Sequence, residues 1–442
     1  MKKINNNICI LGLGYVGLTL SATLADLGFR VIGVEIREKI LQDLKKRKPH
    51  FYEPNLDKIL NKIILNNNFK FYKKIPKNWS GNTFIITVGT PLDEHGKSRD
   101  DLIKNVSNEV KNSIKNNGLV ILRSTVKVGT TRNIVKKIIE NKVKKFDIAF
   151  CPERTQEGKA LSEVKKIPQI IGGLNYKSAK RARSIFKKVT KVNLIVSSLE
   201  TAELIKLVDN SQRDVYFSYA NEIAKICDEL KISATEVINT GKYKYGRTNL
   251  AFPGPVGGPC LIKDTYILNE SLKNKKSKPN IALAARRINE SLPKDIVFQL
   301  KNELKKRFTK IEKISLLGLA FKGNPPTDDV RDSMSIKFYK EIKKKFPKSH
   351  ISIFDSLVKD EDFVSLKINR SQNINESFKN SNMIIILNNH TTFKNLNLNE
   401  KSKLMKSKAI IYDCWNLFDS SNLKLKKKIT YSAFGNIWEK GI

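Results

Sequence analysis

The chain has 442 residues, enough for two to three domains and a large core, and its 82 Lys and Arg outnumber 43 Asp and Glu to give a net charge of +39. The basic residues run along the whole length rather than forming one arm with interleaved aromatics, so they describe a Lys-rich solvated surface and exclude a dedicated nucleic-acid or membrane segment. Five scattered cysteines without a CxxC pair exclude a disulfide framework and a zinc site, and no apolar run approaches the roughly 20 residues of a membrane span, so the expectation is a cytoplasmic protein in a reducing compartment, with no metal.

Residues 7–11, NICIL, predict a short apolar strand. GLGYVGL follows, with Gly12, Gly14 and Gly17 at GxGxxG spacing around Tyr15 and Val16. LTLSATLADLG then predicts a helix ending at Gly28, and RVIGVEI a second strand ending in Glu35. Strand, glycine turn, helix, strand and acid make a dinucleotide site. The glycines permit a tight turn and close approach to a pyrophosphate, and the helix N-terminus receives its charge. An acid at position 35 accepts hydrogen bonds from ribose hydroxyls and repels a 2′-phosphate, which favours NAD over NADP; Arg37 weighs the other way.

Strands and helices continue to alternate. FIITVGTP (84–91) predicts a buried strand ending at Thr90. GLVILRSTVKVGTTRNIV (118–135) predicts a strand, then Ser124 and Thr125, then a helix capped by Thr130 or Thr131. FDIAFCPERTQEGKA predicts a strand with Glu153 just past its end. Ligands of open parallel sheets bind beyond the carboxyl ends of strands, where Thr90, Thr125 and Glu153 fall, although loop polarity and capping also account for such residues.

Residues 200–229 predict one long helix, with Lys206 and Asn210 one turn apart on a shared face. Its apolar residues occupy more than one side, which suits a core connector or a dimer interface. Shorter helical segments follow at 231–241 and 279–300. From 313 the α/β alternation restarts, with Lys322 and Arg331 in a loop that lacks GxGxxG. Both are charged donors suited to a phosphate. The fold class is therefore α/β: two Rossmann-like doubly wound domains (1–199 and 306–442) joined by a central helical region (200–305) with one long helix.

Residues 251–266, AFPGPVGGPCLIKDTY, hold Cys260 in a run of glycine and proline that shapes a loop. The following residues predict a helix that sets this thiol near a helix N-terminus, where the dipole favours thiolate and Lys263 adds positive charge. Asp264 lies one turn on, so a nucleophile stands beside an acid/base candidate. A buried structural cysteine in a turn is the competing reading.

These motifs resemble the UDP-glucose/GDP-mannose (nucleotide-sugar) dehydrogenase family along nearly the whole chain. They are GLGYVGL, TPL at 90–92, STVKVGTT at 124–131, CPERTQEG at 151–158, AELIKLVDN at 202–210, PGPVGGPCLIKD at 253–264, FKGNPPTDDVRDS at 321–333 and NNH at 388–390, in the family's order. The resemblance implies a four-electron, NAD-dependent oxidation of a nucleotide-sugar C6 hydroxyl to a carboxylate, in a cleft between the two α/β domains, by a homodimer built through the long helix. It implies that Gly12, Gly14, Tyr15, Val16, Gly17, Glu35, Thr90 and Thr125 hold NAD. Cys260 would attack the intermediate aldehyde. Lys206 and Asn210 would stabilise oxyanion charge, and Asp264 would position or deprotonate water. Thr125 and Glu153 would line the same site, with Glu153 handling water. Glu153, Lys206, Arg247, Asn249, Gly257, Lys322 and Arg331 would contact the nucleotide-sugar.

PGPVGGPC departs from the PGPGVGGHC-like loop of many members acting on UDP-N-acetylhexosamines. The KD after the cysteine matches UDP-glucose and GDP-mannose members, whereas PGP and CPER match the first group. A UDP-N-acetylhexosamine of gluco or manno configuration is favoured, then UDP-glucose, then GDP-mannose. Two rival readings stand: a single-step dehydrogenase of the 6-phosphogluconate type, and a silent nucleotide- or nucleic-acid-binding protein. The cysteine loop argues against both.

Overall fold

The computed structural model describes residues 6–436. They divide into two compact units. The first comprises the chain up to Asn210 with Lys263–Pro279; the second comprises Ser211–Ile262 with the chain from Asn280 onward.

The first unit is built on eight strands: β1 (Asn7–Leu11), β2 (Arg30–Val34), β3 (Phe69–Tyr72), β4 (Thr83–Ile86), β5 (Gly118–Leu122), β6 (Phe146–Phe150), β7 (Gln169–Gly173) and β8 (Asn193–Val196). Their order is β3-β2-β1-β4-β5-β6-β7-β8. The first six form the parallel 3-2-1-4-5-6 sheet of a Rossmann domain, whose strand order reverses between β1 and β4. The sequence reading did not anticipate β7, which pairs antiparallel with β6, or β8, which pairs parallel with β7. The strands read as unbroken apolar runs because both faces are covered. Ile8, Ile10, Ile85 and Ile121 enter one core, while Cys9, Leu11, Ile86 and Leu122 enter the other. Each such side chain contributes about 1.5–3 kcal/mol by burial. Helix α1 (Tyr15–Asp26) buries Gly17, Ser21, Ala22 and Ala25, small residues that admit close packing.

The second unit carries β9 (Lys313–Leu317), β10 (His350–Phe354), β11 (Met383–Ile386), β12 (Ile410–Asp413) and β13 (Thr430–Ala433). They are all parallel, in the order β10-β9-β11-β12-β13. Its first turn repeats that of the first unit without the glycine fingerprint. Gly12 donates its N–H to Val34 O and Leu13 donates to the Glu35 carboxylate; correspondingly, Gly318 donates to Phe354 O and Leu319 to the Asp355 carboxylate. Asp355 also accepts the N–H groups of Ala320, Leu357 and Val358. It is a strut for its own loops, which explains why an acid follows β10 without a dinucleotide motif.

Three further helices matter to the site: α2 (Leu199–Leu230), α3 (Gly258–Ser271) and α4 (Asn280–Arg307). The long helix thus runs one residue beyond each end of the expected span. No described helix is long and apolar enough to cross a membrane.

Candidate active site

Helix α1 starts at the switch point of the first sheet, directly after the glycine turn. A Cβ on Gly17 would lie 1.8 Å from Gly12 O, so the turn closes only with glycine. A Cβ on Gly14 would meet only Arg37 Nη2, at 3.9 Å, so the space there is open. No side chain caps the helix, so its first-turn N–H groups face that space without a side-chain acceptor. This arrangement fits a pyrophosphate. Tyr15 and Val16 are half-buried in the first turn. The Tyr15 hydroxyl donates to Glu53 and accepts the N–H of Gly158, so it fastens the turn to the loop after β6. Burial together with Glu53 pushes its pKa well up. Glu35 accepts from Leu13 N and, through both oxygens, from Arg37. Burial opposes ionisation, but these donors outweigh it and hold the carboxyl below its usual range. Arg37 is thus paired with the acid and neutralises it.

The loops after β4 and β5 are laced together. Thr90 Oγ1 donates to Thr125 O (2.6 Å), and Ser124 Oγ donates to Val88 O (2.6 Å). The expected cap by Thr130 or Thr131 is replaced by something the sequence did not reveal. A π-helical turn, Thr131–Lys136, begins here with no side-chain cap at Thr130. The capping acceptor is Glu203, on α2. Its carboxylate takes the N–H of Gly129 (2.5 Å), the N–H of Thr131 (2.8 Å) and the Thr131 hydroxyl (2.6 Å). Glu203 sits one turn before Lys206 and two before Asn210, so it ties the 124–131 loop to the stripe that carries them. It lay unremarked within the AELIKLVDN motif.

Burial pushes the Glu203 pKa from 4.5 up to about 7, against the three donors. A carboxyl whose folded pKa exceeds its unfolded value binds more proton when folded, so its favourable contribution is complete below the unfolded value. Stability is expected to fall as pH rises from 4.5 to about 7. Glu203→Gln should flatten that part of the Tm–pH curve while retaining one acceptor; an unaltered slope in the variant would assign it to another group.

Lys206 is half-buried and makes no hydrogen bond or ion pair to any described residue, so its ammonium is available. Asn210 and Asp264 are brought together: the buried Asn210 amide donates to Asp264 Oδ2, and Lys263 Nζ reaches Asp264 Oδ1 at 2.6 Å. Both carboxylate oxygens are therefore engaged, which makes Asp264 an anchor. Lys263, expected to add charge beside the thiol, is itself offset by this acid. Glu153 is likewise occupied. Arg123 Nε and Nη2 donate to one oxygen, at 3.2 and 2.7 Å, and the N–H groups of Arg154 and Thr155 to the other. Burial would raise its pKa, but the Arg123 charge and these donors hold it below the ordinary value. It is a carboxylate held in place by four donors.

Cys260 lies on the first turn of α3, as the sequence implied, and is the only exposed cysteine; Cys9, Cys151, Cys227 and Cys414 are buried. Gly258, at φ +88°, donates to Asp332 O (2.9 Å), and a Cβ there would strike the Phe321 ring at 2.4 Å. Gly257 also packs on Asp332, which leaves no room for a side chain. Arg247 is exposed after the helix Ala234–Lys242, and Asn249 Oδ1 accepts the Tyr216 hydroxyl at 3.1 Å. Lys322 is half-buried, its ammonium 5.5 Å from the Phe321 ring centroid. Arg331 is exposed and forked on Asp329 through Nε and Nη2. His390 caps a short helix through Nδ1, accepting Thr392 N–H. Among the described residues, no group of His, Cys, Asp and Glu could hold a metal.

Three family profiles match in chain order. Residues 6–190 match the NAD binding domain of the UDP-glucose/GDP-mannose dehydrogenase family, residues 200–291 its central domain and residues 315–420 its UDP binding domain. The chain is 34% identical over 432 residues to a UDP-N-acetyl-D-mannosamine dehydrogenase of Methanocaldococcus jannaschii, covering 95% of each chain. Among solved structures, a UDP-D-ManNAc dehydrogenase from Pyrococcus horikoshii superposes with a TM-score of 0.87 at 29% identity, over 97% of this chain and 99% of that one. A UDP-N-acetyl-mannosamine dehydrogenase from Staphylococcus aureus gives 0.84 at 27%, over 98% and 99%.

Proposed function

Since the chain belongs to the UDP-glucose/GDP-mannose dehydrogenase family and is an NAD-dependent nucleotide-sugar dehydrogenase, we propose that it oxidises the C6 hydroxyl of UDP-N-acetyl-D-mannosamine to the uronic acid. The observation that carries the reading is an exposed thiol on the first turn of α3, followed one turn later by a buried carboxylate already bonded to Asn210. A single-step alcohol dehydrogenase needs no such thiol. The names of the relatives support the manno sugar.

NAD, when bound, takes up the two hydrides in turn; the glycine turn, the α1 N-terminus and Glu35 would hold it, with Thr90 and Thr125 beside it. Between the two oxidations, Cys260 Sγ adds to the aldehyde carbon and gives a thiohemiacetal. Loss of hydride from that carbon leaves a thioester. Water then attacks the acyl carbon, the C–S bond breaks, and the thiolate and carboxylate separate. Overall the alcohol, two NAD⁺ and one water give the carboxylate, two NADH and three protons. Lys206, having no partner among the described residues, meets the charge that develops on the C6 oxygen. Asn210 keeps its second amide hydrogen for the same oxygen while Asp264 fixes the orientation of the first. Glu153 shapes the site as a fixed charge. Arg247, Asn249, Gly257, Lys322 and Arg331 belong to the nucleotide-sugar end in this reading.

The reading includes a homodimer in the cytoplasm. Its support is the apolar face of α2, where Leu204, Val208, Tyr219, Ile226 and Leu230 recur at helical spacing and are each 41–64% exposed. NADH formed per sugar consumed tests the whole, with UDP-N-acetylmannosamine, UDP-N-acetylglucosamine, UDP-glucose and GDP-mannose offered separately. Two NADH per sugar on the first is expected; one per sugar would sink the covalent route, and turnover on another sugar alone would reassign the substrate. Light scattering on the same preparation weighs the dimer.

A further inference from the structure

The loop that ends in Cys260 is gripped from within its own unit by a cluster with no solvent exposure. Asn221, on α2, accepts the N–H of Gly254 through Oδ1 (2.8 Å) and donates through Nδ2 to Gly254 O (3.1 Å). The same Nδ2 donates to Asn289 Oδ1 on α4 (2.8 Å). Asn289 Nδ2 donates to the backbone O (3.1 Å) and Oδ1 (2.7 Å) of Asp214. Arg286 closes the cluster: Nη1 donates to Asp214 Oδ1 (3.0 Å) and Nη2 to Val256 O (3.3 Å). Asp214, Asn221, Arg286 and Asn289 are all 0% exposed.

Such a cluster is a poor way to gain stability. Burying an ion pair and two amides carries a desolvation penalty that the pairing only roughly offsets, and apolar residues of like volume often do as well or better. Asp214 Oδ2 and Arg286 Nε take no hydrogen bond within it, although Arg286 Nε lies 3.4 Å from Glu290 Oε1; what such a network supplies is one defined geometry. Its targets are backbone groups of Gly254 and Val256, within a loop whose prolines at 253, 255 and 259 remove three N–H donors and leave it no ladder of its own. The loop reaches α3 through Gly258, and Cys260 follows two residues on.

We propose that Asp214, Asn221, Arg286 and Asn289 are positioning residues for Cys260, setting the loop from Gly254 to Gly258 and with it the placement of the thiol. The proposal rests on the reading of Cys260 as the nucleophile. Nothing in the cluster touches the thiol or the reacting carbon; it acts through the backbone.

Asn221→Asp is nearly isosteric. It keeps an acceptor for Gly254 N–H but loses both donors and sets a carboxylate against Gly254 O and Asn289 Oδ1. Two quantities are read on the folded full chain: kcat and KM for NAD with UDP-N-acetylmannosamine, and the rate at which iodoacetamide alkylates Cys260. The other four cysteines are buried, so one label reports one thiol. A fall in kcat of about 10²-fold, the consequence of a misplacement near 1 Å, is expected with KM for NAD kept within about twofold. Alkylation should slow about tenfold as the thiol leaves its helix-terminal setting. Alkylation and kcat both within about twofold of the parent would overturn the proposal, as would a rise in KM for NAD matching the loss in kcat, since that marks general loosening. If Asn221→Asp does not fold, Arg286→Lys is read in the same way; it keeps a charge for Asp214 and loses the reach to Val256 O. Undiminished turnover in Cys260→Ser would remove the nucleophile reading, while the alkylation rate of Asn221→Asp would still decide whether the cluster places the thiol.

Discussion

Replacing Cys260 with serine is expected to lower steady-state NADH formation from the nucleotide-sugar by at least about 10³-fold. The loss falls on the second oxidation. A thiolate adds to an aldehyde at neutral pH and later leaves an acyl carbon readily, whereas a serine hydroxyl stays protonated at that pH and its alkoxide is a far poorer leaving group. The first oxidation needs no thiol, so rapid mixing should still show NADH up to about one per site before turnover stops. NAD affinity should stay within about twofold, since the change leaves the glycine turn and Glu35 themselves unaltered. The parental rate in this variant would defeat the thioester route outright.

Arg123→Leu should be the most destabilising single change in the first unit. The guanidinium side chain is 1% exposed and joins three strand ends. It donates to Glu153 beyond β6, to Cys151 O (2.9 Å) and to Gln169 Oε1 on β7 (2.8 Å), and it lies 5.1 Å from the Phe186 ring centroid. Leucine fills part of the volume but leaves Glu153 buried with two N–H donors and no counter-charge. Breaking such a pair costs about 3–5 kcal/mol. The sign of the pH dependence follows from the lowered pKa of Glu153. In the parent, the stability it contributes is present above its ordinary value of 4.5 and lost as pH falls through the lower folded value. In the variant the unpaired carboxyl prefers its proton, so acidification should recover part of the deficit. Urea midpoints at neutral pH and near pH 5 test both statements. A deficit below about 1 kcal/mol, or one that grows on acidification, would mean that the pair does not hold the strand ends together.

The dinucleotide unit was legible because its chemistry demands residue types at fixed spacing: glycine where a Cβ would strike Gly12 O, and an acid at the end of the second strand. The long helix and the helix after Cys260 were legible from periodicity and from the glycine that starts α3. β7 and β8 were not, since QIIGG and NLIV are short and their place is decided by pairing with a strand already formed. The capping acceptor at Thr131 was invisible for a related reason: it is supplied by Glu203, 72 residues away. The partners of the carboxylates were hidden in the same way. Glu153 and Asp264 look like bases in a list of residues, yet Arg123 and the pair Lys263 and Asn210 occupy their oxygens. The pairing of Arg331 with Asp329, two residues before it, was equally hidden. Sequence shows which groups could react; only coordinates show which are already engaged.

The discontinuity of the first unit bears on how the protein is made. Its sheet is complete in the chain by Val196, but Lys263–Pro279 is also part of it. Lys127 and the N–H of Ser98 are bound by Glu270, 143 and 172 residues downstream, and Val128 N–H by Ser271. Asn210 waits 54 residues for Asp264. At about 5–20 residues per second, the ribosome presents the nucleotide-binding sheet several seconds before the groups that finish its catalytic edge. A nascent chain therefore gains the strands of this unit first and the contacts from Lys263–Pro279 seconds later. A product released early, at Asn210, would hold the sheet and the Lys127–Asp100 pair but lack Glu270, Ser271 and Asp264.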